Sequence, residues 1–224
     1  NGTRCDAVRT QIERWWWTDR LNEDEYYYLL ASLIDAADRV ANTASVYGAF
    51  LKHIKKTARK PLLLRKVPVF SSELNHATFN QDGLRLVQEL DCDVLYMDPP
   101  YNHRQYCANY HVLETIARYD KPKVYGTTGL RPYQDQKSEF CMKKRALPAL
   151  EEIVRSTCAN HVFLSYNNEG IMSRNDIKKV MMKHGEVDVE TLRYPRFRAD
   201  VDRDNRVYKR DWVREYLFCL RKRA

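Results

Sequence analysis

A chain that alternates short apolar runs with amphipathic stretches of helical length has few folds open to it, and this one does so from residue 76 onward. His76 to Asn80 reads as a short strand, Leu84 to Leu90 as a helix, Asp93 to Met97 as a buried strand and Asn109 to Tyr119 as a helix. After an irregular stretch holding Gly126, Gly129 and Pro132, Leu147 to Cys158 is helical and His161 to Tyr166 is a strand. Ser173 to His184 is a helix closed by Gly185, and Val187 to Tyr194 and Glu215 to Leu220 are strands. Strands separated by helices need crossovers and build a parallel sheet, whereas the last two strands fit an antiparallel ending. The implied fold class is α/β.

The first 66 residues follow a different pattern. The chain opens in a helix rich in Arg and Trp, and Asn22 with Glu25 three positions on can form a capping box, with Leu21 stapling to Tyr26. Tyr26, Leu29, Leu30, Leu33, Ile34, Ala37 and Val40 then share one helical face. Trp15 to Trp17 and Tyr26 to Tyr28 are read as core and rim packing. Pro61 and Pro68 punctuate the exit from this part. We therefore expect a helical segment over 1–66 and a second domain over 67–224.

Composition narrows the partners. No apolar run approaches the roughly 18 residues that cross a bilayer, so no membrane partner is expected. The six cysteines (Cys5, Cys92, Cys107, Cys141, Cys158, Cys219) form no CxxC pair, as suits reduced thiols of a cytoplasmic protein and not a zinc site. Against 30 Asp and Glu stand 38 Lys and Arg, a formal charge of +8 that favours a polyanion. The excess is clustered: Lys52 to Lys66 holds seven basic residues and no acidic one, and Arg193 to Arg214 mixes eight with four aspartates. A solvated face is the competing account of each. Within the second cluster, Arg196, Arg198, Lys209 and Arg210 interleave with aromatic residues and are candidates for phosphate contact.

The chemistry lies in Asp98-Pro99-Pro100-Tyr101, directly after the apolar run Val94-Leu95-Tyr96-Met97. That position is the carboxyl end of a strand, where open α/β sheets bind ligands. An Asp carboxylate and the Pro99 carbonyl can accept both N–H groups of a planar exocyclic amine, the prolines fix the backbone, and Tyr101 can stack on a base. His103 and Arg104 follow at once and can meet phosphates or an orphaned base; ordinary loop residues are the other reading. Ser165 to Gly170, at the end of the next strand, either lines the same pocket or shapes a turn. His53 and His111 lack a second ligand at metal spacing and are read as packing or surface residues.

Asp98 to Tyr101, with NHRQY, ANYH and LETIARYD running on to Asp120, resembles the adenine-specific DNA methylases of the Dam type. The resemblance extends from about Asn1 to Arg223. It implies a Rossmann-like, S-adenosylmethionine-dependent methyltransferase fold acting on N6 of a flipped adenine in double-stranded DNA. By it Asp98, Pro99, Pro100 and Tyr101 hold the adenine. Asp82 matches the acidic residue that contacts the cofactor's adenine, although it also suits a helix cap. The family's Phe-x-Gly-x-Gly loop for S-adenosyl-L-methionine has no counterpart among the seven glycines. We accordingly expect a fold incomplete at the N-terminus, with its first strands upstream of Asn1. An RNA methyltransferase acting on guanine N2 and an inactive DNA-binding module remain open at this point.

Overall fold

The computed structural model describes residues 1–195 and 211–223. The chain forms two compact units interleaved in sequence, Asn1–His76 with Tyr106–Asp135, and Ala77–Gln105 with Gln136–Ala224.

The first unit is helical. Helix α1 (Gly2–Trp17) buries Ile12 and, unusually, Arg9. Helix α2 (Glu23–Arg39) begins with the expected capping box: Asn22 Oδ1 accepts from Glu25 N–H at 2.9 Å, and Glu25 Oε2 accepts from Asn22 N–H at 2.9 Å. Leu33, Ala36, Ile12 and Leu62 form the centre of this unit's core, with Leu21, Tyr26 and Ile116 against it. The buried Arg9 guanidinium donates to the carbonyls of Ile116 (2.6 Å) and Ala117 (3.0 Å) and to Glu13 and Tyr26 Oη. Trp16 lies 4.9 Å from the Tyr26 ring, whereas Trp17 is exposed.

The second unit holds the sheet. Helix α3 (Gly83–Glu89) precedes strand β1 (Val94–Met97). The helix expected over Asn109–Tyr119 is α5 (His111–Arg118) in the first unit, preceded there by the single turn α4 (Tyr106–Asn109). Back in the second unit come α6 (Ala146–Ser156), β2 (His161–Asn167), α7 (Arg174–Met182), β3 (Gly185–Pro195) and β4 (Trp212–Lys222). The order is β1-β2-β4-β3, with β1 parallel to β2 and both pairings of β4 antiparallel. The alternation thus yields a parallel pair joined by a helical crossover and an antiparallel ending, a mixed α/β architecture. Val162, Leu164, Phe218 and Leu220 on the sheet meet Leu150, Val154, Ile177 and Met181 of α6 and α7 in one core.

Three local expectations fail. Strand β1 is not buried as a whole: Val94 and Tyr96 are 52% and 62% exposed and only Met97 is buried, because one face of this edge strand is left uncovered. Residues 76–80 form no strand: they are exposed and no neighbouring backbone pairs with them among the described residues. Gly185 does not cap α7 but opens β3, where a Cβ would stand 2.0 Å from the Arg221 carbonyl oxygen. Close approach of two strands, and not left-handed backbone, calls for glycine there. No helix among the described residues is long and apolar enough to cross a membrane.

Candidate active site

Asp98-Pro99-Pro100-Tyr101 leaves the carboxyl end of β1, whose register with β2 runs from Val94 opposite His161 to Met97 opposite Leu164. Met97 is buried in the core, so the strand is anchored one residue before the motif. Asp98 is exposed, the two prolines are half-buried, and Tyr101 is 40% exposed. The motif therefore presents a carboxylate and an aromatic ring on a backbone that prolines stiffen.

The segment after β2 holds that backbone. The Tyr101 carbonyl accepts from Ile171 N–H at 2.8 Å and from the Tyr166 hydroxyl at 3.3 Å, and the same hydroxyl accepts from Met172 N–H at 3.2 Å. Tyr166 is buried, and burial pushes its phenol pKa up. Its ring lies where a Gly170 side chain would be, with Tyr166 Cε1 only 2.2 Å from an added Cβ. Gly170 thus admits the Tyr166 ring, a use beyond the turn-shaping role read from sequence. Asn168 fastens β2 to β4, its N–H donating to the Arg214 carbonyl (3.0 Å) and its Oδ1 accepting from Arg214 N–H (2.8 Å). Asn167 Oδ1 accepts from Glu169 N–H at 3.0 Å.

Sequence reasoning missed Glu215. It faces Asn167 in the β2–β4 register. Burial raises its carboxyl above the ordinary range, the charge of Asp98 raises it further, and a hydrogen bond with Asn167 opposes both. A second carboxyl group therefore senses Asp98 from β4. The available signal was an acidic residue opening the otherwise apolar run Glu215 to Leu220.

Other candidates fall as follows. Asp82 caps α3, its Oδ1 accepting from Leu84 N–H (2.9 Å) and Arg85 N–H (3.2 Å). His103 and Arg104 are exposed beside the motif, where Arg104 N–H donates to Asn102 Oδ1 at 2.9 Å. Arg196, Arg198, Lys209 and Arg210 lie outside the described residues. His111 is a buried packing residue whose ring nitrogens lie 2.9 Å from the Ala108 carbonyl and 2.8 Å from that of Thr128. Among the described residues no His, Cys, Asp and Glu grouping suits a metal ion. A cavity of about 710 Å³ belongs to the helical unit, between residues such as Cys5, Val40, Phe50 and Ile116, and includes none of the motif residues.

Comparison with known proteins supplies the family. Residues 1–180 match the family model described as D12 class N6 adenine-specific DNA methyltransferase. The chain is 46% identical over 222 residues to the type II methyltransferase M.NlaIII of Neisseria lactamica, which covers 99% of this chain and 66% of that protein. It is 37% identical over 227 residues to the modification methylase StsI of Streptococcus sanguinis, covering 100% of this chain and 34% of that one. M.FokI of Planomicrobium okeanokoites is 37% identical over 222 residues, 99% of this chain and 34% of its own. The chain thus spans two thirds or less of these relatives' length, and no solved structure matches it significantly. With the motif at the strand end, its backbone pinned from the next strand, and a family match over most of its length, the chain belongs to the D12 class of N6 adenine-specific DNA methyltransferases.

Proposed function

We propose that the protein methylates the exocyclic N6 of an adenine flipped out of double-stranded DNA, as a site-specific modification methylase with a Rossmann-like catalytic domain. The observation that carries this is Asp98 and Tyr101 emerging together from the end of β1 on a backbone held by Ile171 and Tyr166. The exocyclic amine of adenine has two N–H groups; the Asp98 carboxylate accepts one and the Pro99 carbonyl the other. This fixes the nitrogen and leaves its lone pair unblocked by either acceptor. Positive charge growing on the nitrogen is offset by the carboxylate. The Tyr101 ring covers the base face, and such contacts offset the few kcal/mol that unstacking costs. His103 and Arg104, together with Arg196, Arg198, Lys209 and Arg210, contribute phosphate contacts. The helical segment over 1–66 serves target recognition, beside a catalytic part over 67–224. Six free thiols suit a cytoplasmic enzyme.

S-adenosyl-L-methionine is the donor this chemistry calls for, supplying an electrophilic methyl on sulfur. The described residues do not fit a whole site for it. Asp82 is the proposed contact to its adenine, yet Asp82 Oδ1 is already engaged by the α3 cap. Gly170 and Gly185 stand against the Tyr166 ring and the Arg221 backbone, so neither opens a cradle for the methionine end. A DNA-binding module without activity is the second reading, favoured by that mismatch alone.

The deciding experiment is Asp98→Ala in the complete enzyme. We expect N6-methyladenine formation to vanish while donor affinity stays within a few-fold. Turnover near wild type would remove Asp98 from the chemistry.

A further inference from the structure

Beyond α5 the backbone makes a tight hairpin to which no role has been given. Tyr125 and Leu130 exchange both backbone hydrogen bonds at 2.8 Å, and Gly126 and Gly129 turn the chain between them with φ of 70° and 67°. Tyr119 and Lys121 also take left-handed backbone, with φ of 50° and 48°, which bulky residues seldom adopt. Backbone of this kind persists where the surroundings hold it. Here Arg131, 5% exposed, donates to the Asp120 carboxylate at the base of the segment, and the buried His111 ring meets the Thr128 carbonyl within the turn. The hairpin is a braced feature of the helical unit.

What it turns outward is of one chemical kind. Residues 123–127 and Lys121 are exposed, with Tyr125 at 54% and Val124 at 51%. From Lys121 to Gln134 there is no acidic residue. The Lys123 ammonium stands over the Tyr125 ring, 5.6 Å from its centre, so cation and aromatic are offered together. Ammonium groups pair with phosphates and an aromatic ring offers a stacking face for a base, a combination that suits a nucleic-acid strand. One Tyr and one Val side chain are far too little apolar area for a stable protein interface.

We propose that the hairpin from Lys121 to Leu130 contacts DNA, Lys121 and Lys123 meeting backbone phosphates and Tyr125 lying against a base. This rests on the reading of the protein as a DNA methyltransferase and adds a binding element that the motif does not contain.

The test is a fluorescence-anisotropy titration of the complete enzyme on duplex DNA over a range of salt, with methylation assayed in parallel. Lys121→Ala with Lys123→Ala should reduce the slope of log affinity against log salt by about 1.8, two contacts at about 0.9 each. Tyr125→Ala should weaken binding roughly 5- to 100-fold at an unchanged slope, and Tyr125→Phe, which keeps the ring, should restore it. Thermal unfolding of each variant guards against mere loss of fold. If the wild type methylates adenine and both alanine variants keep its affinity and slope, the hairpin inference is overturned and the function stands. If the wild type neither binds duplex nor forms N6-methyladenine, the function itself falls and the inference with it.

Discussion

Tyr101 is held by its backbone while its ring stays available, and one of the two holding groups is a phenol. The Tyr166 hydroxyl stands between the Tyr101 carbonyl and Met172 N–H. Tyr166→Phe should cost about 1 to 2 kcal/mol, because a buried N–H loses its acceptor. Turnover should fall with it as the motif loosens; a wild-type rate in a variant measurably less stable would mean Ile171 alone suffices. Glu215 carries a separate prediction. Burial first, and then the Asp98 charge, raise its folded pKa, so the folded state binds this proton more tightly than the unfolded chain does. Stability from this group is therefore lost as pH rises from the ordinary carboxyl range through the raised folded value. Glu215→Gln should be more stable than wild type above that window, with the difference vanishing in acid. Urea midpoints measured across pH would show a constant difference if the carboxyl were unperturbed.

At the scale of elements, the helix starts were readable because capping is a local matter. Asn22 and Glu25 meet as their spacing requires, and Ser173 caps α7 by accepting from Asp176 N–H at 3.1 Å. Asn22→Ala should cost about 1 kcal/mol, read as a lower thermal midpoint. The tie between α1 and α5 was not readable. Arg9 is 2% exposed and spends its guanidinium on two carbonyls, a carboxylate and a phenol, whereas helical arginines ordinarily face water. Arg9→Ala should cost about 3 to 5 kcal/mol by stranding those acceptors, with Glu13 chief among them. A loss under about 1 kcal/mol in chemical denaturation would show that water replaces the guanidinium. Residues 76–80 fail as a strand for the converse reason: an alternating pattern makes a strand only where another backbone completes its hydrogen bonds.

For the whole molecule, the mismatch between the family's chemistry and the described residues gives the sharpest expectation. Residues 1–224 should bind S-adenosyl-L-methionine weakly or not at all, since the seven glycines form no Phe-x-Gly-x-Gly loop and Gly170 and Gly185 stand against Tyr166 and Arg221. Micromolar binding in a calorimetric titration would refute it. The two units interleave because the chain leaves the sheet unit after Gln105 and re-enters at Gln136, an arrangement that no linear reading of composition reveals.

The sequence by itself determined the strand ending in Asp98-Pro99-Pro100-Tyr101, the capping box that starts α2, the antiparallel ending and the family, because each depends on residues near one another in the chain or on a contiguous motif. Only tertiary structure decided that Tyr166 and Ile171 hold Tyr101, that Glu215 senses Asp98, that Gly185 makes room for Arg221, and that Arg9 is buried. Gly185 and Arg221 are 36 positions apart in the chain and Asp98 and Glu215 are 117, and charge or hydropathy along a chain carries no record of what will lie across from it once the sheet and helices close.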